Sequence, residues 1–432
     1  MIVRSRWPKR RVRTVTLLSL LCIGALVFSA CADNNETGSA GDAEGVEAGA
    51  SQEEFARALA DMDAVTLSLQ TPTPAEHPVT DAYTKYAEAV EEWSDGKITF
   101  ELAHSSSIAP PTEIDDALAD GRLDISYTPP TYDPKRYPAN DALLRLTSLG
   151  KQDPVAGMLQ SNAAFMETAF NTPEIMGEYE DNGMKPLLPY VPTDRVGFAC
   201  TEPRTNLSET DGAQTRISAE VHAEQIQPLG MSPVSLDFSE VYQALQRGVA
   251  DCALFPLWGA EFVGILPIAN QYTIDSEVGV SVGMVGLAVS ELAWDDLPLA
   301  GQQLLHDRLD VFVEHSIKSS IWKTAAAGLK QIDKEGGSVH EFDSDAREEL
   351  RAANEKIVEG VRDSDAIADG ESFVNGVNQA LERWDDAVTG ELGFDEQVGY
   401  PEFAEWHDSA DVDLGPYIDL LKSEFMTQHR PE

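Results

Sequence analysis

Residues 229–252 read LGMSPVSLDFSEVYQALQRGVADC, and the order of patterns in this stretch decides the fold class. Ser239 is predicted to begin a helix, since serine is a favoured capping residue, and Gly248 is predicted to end it. Val249–Phe255 then reads as a buried strand, and a further strand is predicted before the stretch, at Gln214–Ser218. Strands that alternate with helices are typical of an α/β domain.

The amino-terminal half shows the same alternation. Two-residue periodicity predicts strands at Val65–Gln70, Lys97–Leu102 and Leu123–Tyr127, and helical spacing of apolar residues predicts helices at Thr80–Trp93 and Glu113–Asp120. Strand, helix, strand, helix, strand is the pattern of a parallel sheet covered by helices.

The carboxyl-terminal half begins with strands and continues with helices. Arg195–Thr201 is predicted to be a strand, and Val278–Ser290, which is long, apolar and rich in valine, to be one buried strand. The chain is predicted to be mostly helical over Leu297–Trp384 and irregular over the acidic stretch Glu391–Pro416. A terminal helix is predicted at Pro416–Phe425.

The first 30 residues have the features of an export signal. Six basic residues precede Val15–Phe28, an apolar run too short to cross a bilayer comfortably. Ser29-Ala30-Cys31 then resembles a bacterial lipobox, which predicts cleavage before Cys31 and attachment of lipid to its thiol. An ordinary cleaved signal with a chance cysteine is the alternative, and Arg10-Arg11 leaves a twin-arginine signal open. A flexible tether is predicted over residues 31–60, whose first part has no aromatic residue and too little apolar surface to fold.

The charge of the chain limits its partners. Removing the six basic residues of the signal from the 31 in the chain leaves 25 against 74 acidic residues, a net charge of -49. Nucleic acid is excluded as a partner, because phosphate contacts need a basic surface, and so is direct adhesion to anionic lipid. The same charge repels small anions, so an anion site in this protein needs its own local cation.

The chain has four cysteines, of which Cys22 leaves with the signal and Cys31 is the lipidation site. Cys200 and Cys252 remain, both in predicted strands. A disulfide between them is predicted for an exported protein, and two buried free thiols are the alternative.

Three stretches together resemble one family, the extracytoplasmic solute-binding proteins of tripartite ATP-independent periplasmic (TRAP) transporters, known as the DctP-like family. They are residues 229–252, residues 94–100 together with 113–127, and Ser290–Pro298, which ends in Asp-Asp-Leu-Pro. The resemblance covers roughly residues 62–370.

This resemblance implies an α/β, two-domain periplasmic-binding-protein-like (type II) fold, with the ligand cleft between the domains and, in this chain, long carboxyl-terminal helices. Domain I is expected at residues 61–192 plus 282–325, and domain II at 193–281 plus 326–432. It also implies that one small solute is held between the domains and delivered to paired membrane subunits of the transporter. We expect the protein itself to be a monomer, lipid-anchored on the outer face of the cell membrane or in the periplasm.

Most members of the family bind a carboxylate through one arginine on the strand before the 229–252 stretch, and Arg216 stands at that position. The planar guanidinium of arginine gives a carboxylate two parallel hydrogen bonds and stays charged at any relevant pH. A surface-strand arginine is the alternative for Arg216. Arg195 is the second candidate, near where many relatives have a further arginine, although it could be an exposed residue at the start of a strand.

Aromatic residues are the remaining candidates in domain II. Phe238 matches an aromatic position that lines the cleft in relatives, and its alternative is a core residue. Where many relatives have a polar side chain, this chain has Phe255 followed by Trp258, which could also pack between helices. The sequence therefore predicts a ligand with an apolar or aromatic body, as opposed to a hydroxyl-rich sugar acid.

Domain I supplies candidates from the ends of its strands, where such sheets bind ligands. Thr73 and His77 follow the first strand, and Tyr127 and Thr128 end the third. Ser105–Ser107 is either a source of hydroxyl contacts or a polar turn.

The sequence has few motifs that are typical of enzymes. The eight histidines include no zincin pair, and the chain has no nucleophile elbow and no phosphate loop, so we predict no catalytic residue, no metal and no cofactor. The predicted function is capture of a small organic acid for TRAP membrane subunits. A solute-sensing lipoprotein that signals to a membrane receptor is the alternative, and an extracellular hydrolase is a weaker one.

Overall fold

The computed structural model describes residues 45–236, 238–395 and 398–432, apart from the side chain of Ser239. The predicted signal, Cys31 and the first part of the predicted tether lie outside this range. Within it the strands form two sheets, sheet 1 with five strands and sheet 2 with six.

Sheet 1 has the spatial order β2-β1-β3-β10-β4. Strands β1, β2 and β3 are parallel, and β10 is antiparallel to both of its neighbours. All five residues of β10 are buried, as expected for a central strand covered on both faces. The strands are β1 (Val65–Gln70), β2 (Ile98–Ala103), β3 (Ile125–Thr128), β4 (Met184–Leu188) and β10 (Gly286–Ser290).

Sheet 2 has the order β11-β9-β5-β8-β6-β7. β6 is parallel to β7 and β8, whereas β5 is antiparallel to β8 and β9. The chain passes between the sheets after β4, after β9 and after β10, so neither sheet is one continuous piece of sequence. The strands are β5 (Val196–Cys200), β6 (Gln214–Ile217), β7 (Ser232–Ser235), β8 (Cys252–Pro256), β9 (Gln271–Thr273) and β11 (Ser338–His340).

Eighteen α-helices are found in the described part of the chain. The long helix α2 shows why they form: Pro78 occupies its first turn, the His77 ring accepts a hydrogen bond from the Val79 amide at 3.2 Å, and Val79, Tyr83, Tyr86 and Val90 form a buried stripe. The helices are α1 (Gln52–Ala58), α2 (Pro78–Trp93), α3 (Ile114–Ala119), α4 (Pro138–Leu146), α5 (Ala156–Phe170), α6 (Pro173–Glu180), α7 (Leu207–Thr210), α8 (Glu220–Ile226), α9 (Val241–Gln246), α10 (Leu257–Phe262), α11 (Glu291–Asp295), α12 (Leu299–Asp307), α13 (Leu309–His315), α14 (Thr324–Lys334), α15 (Ser344–Arg362), α16 (Gly370–Asp385), α17 (Tyr400–Ser409) and α18 (Gly415–Glu424).

The α/β fold class predicted from the sequence is confirmed, and two local predictions are wrong. Val278–Ser290 is not one strand, because only its last five residues pair with β3 and β4. The stretch Glu391–Pro416 contains α17, whose Phe403 is fully buried and stacks on Trp406. The stretch Leu297–Trp384 is mostly helical, as predicted, and includes only the short strand β11, which pairs with β9. The predicted domain boundaries remain a prediction.

The tether prediction does not hold for its last part. Helix α1 lies inside residues 31–60, begins with a capping box formed by Ser51 and Glu54, and buries Phe55 completely. Just before it, the Val46 amide donates to Gln303 at 2.7 Å, and the Val46 carbonyl accepts from Arg430 near the carboxyl terminus. This amino-terminal stretch therefore packs on the body of the protein.

Candidate functional site

A cavity of about 570 Å³ is lined by residues of both sheets. Sheet 1 contributes the segments that follow β1 and β2 and the strand β3, and sheet 2 contributes β6, β8 and the start of α10. The carboxyl ends of parallel strands are where α/β sheets bind ligands, and the volume lies within the range of small-molecule sites.

Arg216 lines this cavity from the middle of β6 and is 2% exposed. Its Nε donates to the Leu236 carbonyl at 3.3 Å and its Nη1 to the Leu254 carbonyl at 3.2 Å. The guanidinium carbon lies 4.4 Å from the centre of the Phe255 ring, a cation–π distance. Arg216 also takes part in at least one other interaction. Strand β8 and the segment after β7 thus fix the orientation of the guanidinium.

The rest of the described lining is apolar or neutral. Among the lining residues that the structure describes, Arg216 is the only one with a charged side chain. A buried cation in mostly apolar surroundings favours an anion beside it, because opposite charges attract each other more strongly where water is excluded.

An aromatic cluster stands next to Arg216. Phe238 contacts the ring of Phe255 edge-on at 5.3 Å, and its ring centre lies 5.6 Å from that of Phe262 and 6.3 Å from that of Trp258. These separations are typical of favourable aromatic pairs. All four rings line the cavity, so one side of it can hold an apolar or aromatic body.

The sheet 1 side carries hydroxyl groups. Tyr127 lies on β3, and its hydroxyl is 2.7 Å from the Ser106 hydroxyl. Burial raises the pKa of Tyr127 to about 12, so its hydroxyl is neutral at physiological pH. Thr73 also lines the cavity, and its Oγ1 is 2.8 Å from that of Thr80.

Three predicted site residues do not line the cavity, and Arg195 is the most informative of them. It is 3% exposed, and its guanidinium donates to the carbonyls of Thr147 and Lys151 and to the Ser161 hydroxyl. These acceptors hold it in the interior beneath the segment that joins the two sheets. Burial lowers its pKa. Arg195 therefore does not line this cavity, its contacts are those of a structural residue, and its role in ligand binding stays a prediction.

His77 and Thr128 are the other two predicted residues that do not line the cavity. The His77 ring caps α2, and its Nε2 lies 3.4 Å from Glu261. It contacts Phe262 edge-on at 5.1 Å, so it supports the wall of the cavity from behind. Thr128 ends β3 but is completely buried, since alternate residues of a strand point to opposite faces and Tyr127 takes the cavity face.

Several lining residues were not predicted from the sequence. Thr131 follows β3 in a short helical turn, Phe262 ends α10, and Phe312 belongs to α13, far along the chain. The first of these could have been found from the strand-end rule that singled out Tyr127. Phe312 carries no local signal, because an aromatic residue on a helix stripe is expected to be core.

The structure joins Cys200 and Cys252 by a disulfide, with their Cα atoms 4.1 Å apart. The two residues are directly opposite each other in the antiparallel pair β5 and β8. The bond ties the strand that follows Arg195 to the strand whose Leu254 carbonyl orients Arg216.

A second cavity of about 630 Å³ has a different character. It is lined by charged side chains of both signs, among them Lys151, Asp153 and Glu341, and none of the predicted ligand-binding residues lines it. The described residues contain no group of three or more His, Cys, Asp or Glu side chains placed to hold a metal ion, in this cavity or elsewhere.

In the described part of the chain, no helix is long and apolar enough to cross a membrane.

Comparison with known protein families identifies the family of this chain. Residues 69–364, more than half of its length, match the family model of the bacterial extracellular solute-binding proteins, family 7. The chain belongs to this family. The predicted resemblance to the DctP-like family is confirmed by this match.

Among curated proteins, the chain is similar to the ectoine-binding periplasmic protein TeaA of Halomonas elongata. The two are 26% identical over 141 residues, which is 32% of this chain and 40% of that relative. The match therefore spans less than half of the relative.

Solved structures match over most of the chain. A TRAP solute-binding protein of Bordetella bronchiseptica with bound mandelate is 20% identical, with a TM-score of 0.63 over 74% of this chain and 99% of that one. A marine metagenome protein with 3-hydroxybenzoate is 18% identical, with a TM-score of 0.63 over 75% and 99%. A Bradyrhizobium protein with galacturonate is 19% identical, with a TM-score of 0.60 over 74% and 100%. At these identities the matches show the fold.

Proposed function

We propose that this solute-binding protein captures a small organic acid by its carboxylate, through Arg216, and delivers it to TRAP membrane subunits. The observation that carries the proposal is a 2% exposed guanidinium in the wall of a mostly apolar cavity, whose orientation is fixed by two backbone carbonyls. A guanidinium held in this way offers a carboxylate a bidentate, charge-assisted contact. The solved proteins that share its fold hold mandelate, 3-hydroxybenzoate and galacturonate, which are all carboxylates.

The body of the ligand is apolar or aromatic in this proposal. The rings of Phe238, Phe255, Trp258 and Phe262 border the same cavity as Arg216 and offer apolar surface beside the charge. A sugar acid would bring several hydroxyls against these rings, which offer no conventional hydrogen-bond partner, and burying a hydroxyl without a partner is unfavourable. Aromatic monocarboxylates therefore fit better than sugar acids.

The similarity to an ectoine-binding protein supplies a second ligand to test. Ectoine also carries a carboxylate, but its ring bears a positive charge. The described cavity lining has no acidic side chain to balance that charge. We therefore expect ectoine to bind less tightly than an acid of similar size with an uncharged body.

The test combines a thermal-shift screen of organic acids with calorimetric titration of the hits, since a ligand that binds only the native state must raise the melting temperature. Arg216→Ala should weaken binding of any hit by about 2–5 kcal/mol, because the carboxylate loses its charged partner. Arg57→Ala is the matched control, since Arg57 lies in α1 and does not line the cavity. Unchanged affinity in a folded Arg216→Ala protein would contradict the proposed site.

Export and delivery form the second part of the proposal. The lipobox-like sequence supports attachment through Cys31 to the outer face of the cell membrane, and the family match supports an exported protein. Cys31→Ser should release the protein from the membrane fraction of expressing cells without changing ligand affinity. Uptake of a labelled ligand by vesicles that contain the cognate membrane subunits should require the binding protein, and uptake that is independent of it would contradict the delivery role.

A further inference from the structure

The backbone next to the cavity is strained at two serines. Ser105 and Ser106 have φ angles of 55° and 52°, in the left-handed region that residues with a side chain seldom adopt. Two hydrogen bonds hold this turn, from the Ser105 amide to the Thr73 carbonyl at 3.2 Å and from the Ser106 amide to the Thr71 carbonyl at 3.0 Å. Strain of this kind persists where the surrounding structure enforces it, and it is concentrated at ligand-binding sites.

The strained turn places the Ser106 hydroxyl 2.7 Å from that of Tyr127, and both residues line the cavity. In such a pair one hydroxyl donates its hydrogen to the other. The second hydroxyl keeps its own hydrogen, and within the described part of the chain no other hydrogen bond to either group is found. The pair therefore keeps one donor and several acceptor positions for a ligand.

Thr131 adds a third hydroxyl to this side of the cavity. Its Oγ1 is buried and makes no hydrogen bond to any described residue. A methyl group added at Gly283, which also lines the cavity, would lie 3.9 Å from this oxygen, so the Thr131 hydroxyl lies close to the cavity lining. An unpartnered buried hydroxyl is unfavourable, and a bound hydrogen-bonding group would remove that cost.

We propose that Ser106, Tyr127 and Thr131, here called the hydroxyl wall, bind a hydroxyl substituent on the body of the bound carboxylate. The ligand class is then a hydroxylated aromatic monocarboxylate, with its carboxylate on Arg216 and its ring beside the aromatic cluster. This inference rests on the proposed function, because it takes the carboxylate contact at Arg216 as given. It adds that the sheet 1 side of the cavity selects among acids that Arg216 alone would accept.

The experiment compares matched acids that differ by one hydroxyl: benzoate with the hydroxybenzoates, phenylacetate with the hydroxyphenylacetates, and cinnamate with the hydroxycinnamates. The three series differ in the distance between the ring and the carboxylate, so that the ring hydroxyl can reach the hydroxyl wall in at least one of them. Calorimetric titration should show at least one hydroxylated acid that binds tenfold or more tightly than its parent, because a site built around hydrogen-bonding groups discriminates strongly against a ligand that leaves them unpaired.

Two variants remove single hydroxyls and keep the shape of the side chain. Tyr127→Phe and Thr131→Val should each reduce the preference for the hydroxylated acid at least threefold, where the preference is the ratio of its affinity to that of the parent acid in the same variant. Ser409→Ala, which removes an exposed hydroxyl from α17, is the control and should change neither affinity. Circular dichroism and melting temperature confirm that each variant is folded.

The outcomes separate the two proposals. If parent acids bind and Arg216→Ala abolishes their binding, but the hydroxyl gives no preference in any series, the hydroxyl wall is refuted and the carboxylate site stands. A preference that survives in both Tyr127→Phe and Thr131→Val refutes the wall as well. If no acid of any series binds the wild type, the proposed function fails and this inference fails with it.

Discussion

Arg216 and Arg195 are both almost completely buried, at 2% and 3% exposure, yet their surroundings are opposite. Arg195 is enclosed by carbonyl and hydroxyl oxygens of the protein, including those of Thr147 and Ser161. Arg216 is held by carbonyls on one side and borders an apolar cavity on the other. The comparison teaches that burial and charge do not identify a binding arginine. What matters is whether the guanidinium borders a cavity.

The largest effect expected from this comparison is on stability. Arg195→Ala should lower the free energy of unfolding by about 3–5 kcal/mol, because several buried acceptors lose their donor at once. Arg216→Ala removes two such bonds beside a cavity that water can enter, so about 1–2 kcal/mol is expected. Urea unfolding followed by circular dichroism measures both. If Arg195→Ala is as stable as the wild type but no longer binds ligand, the two arginines have been assigned the wrong roles.

The disulfide between Cys200 and Cys252 connects the two arginine regions. The two cysteines are 52 residues apart in the sequence, and loop entropy predicts about 4 kcal/mol of stabilisation for such a loop. We expect the double variant Cys200→Ala/Cys252→Ala to lose about 2–4 kcal/mol of stability, the typical contribution of a disulfide.

Ligand affinity of the double cysteine variant should stay within threefold, because Arg216 keeps its carbonyl partners on β8 and after β7. Unfolding of the wild type in urea, with and without a reducing agent, provides the matched comparison. Equal stability under the two conditions would argue against a disulfide that contributes to folding.

The third prediction concerns the carboxyl group beside Arg195. Burial raises the pKa of Asp194 from its ordinary value of 3.8 to about 7, although the Arg195 amide donates to it and the Arg195 charge favours its ionised form. The folded protein then binds this proton more tightly than the unfolded chain does. The free energy of unfolding should therefore fall as the pH rises from about 4 to about 7. A pKa shift of this size sets an upper limit of about 4 kcal/mol on that loss.

Asp194→Asn removes this titration and keeps the size of the side chain. Since relaxation around buried charges weakens such effects, we expect the stability of the variant relative to the wild type to rise by about 1–3 kcal/mol between pH 4 and pH 8. Urea unfolding at a series of pH values measures the difference. A difference that is constant over this range would mean that Asp194 does not titrate there.

The sequence predicted the parts of this comparison that depend on local patterns. The strand that carries Arg216 and the stretch after it could be recognised from residues 214–252, and the rule that ligands bind at strand ends singled out Tyr127. Arg195 could not be assigned, because it precedes β5 in a segment between the sheets, and its direction is set by contacts with Thr147 and Ser161 far away in the sequence.

The same reason explains the other misses. Phe312 reaches the cavity from α13, and α17 forms because Phe403 finds a buried position against the body of the protein. Both depend on tertiary packing that no short pattern encodes. Helix α1 is different, because its capping box, Ser51 with Glu54, is visible in the sequence and outweighs the low apolar content before it.

The smallest expected effect is on ligand affinity, and it comes from the cation–π contact between Phe255 and Arg216. The ring lies 4.4 Å from the guanidinium carbon and borders the same cavity. In Phe255→Leu the apolar surface is largely kept, but the cation–π contact and one aromatic neighbour of the ligand are lost. We expect the affinity for benzoate to fall by about 1 kcal/mol, roughly fivefold, and that for cyclohexanecarboxylate by less than twofold, because only the aromatic acid depends on the geometry of the ring.

Calorimetric titration of both acids into both proteins gives the four affinities needed. Phe198→Leu is the matched control: Phe198 lies on β5, pairs with Phe342 edge-on at 5.4 Å and does not line the cavity, so its loss should lower stability and leave both affinities unchanged. If Phe255→Leu weakens benzoate and cyclohexanecarboxylate equally, the ring acts on the ligand only as apolar surface. The difference between the two arginine regions would then rest on the cavity alone, because the carbonyls that orient Arg216 have counterparts around Arg195.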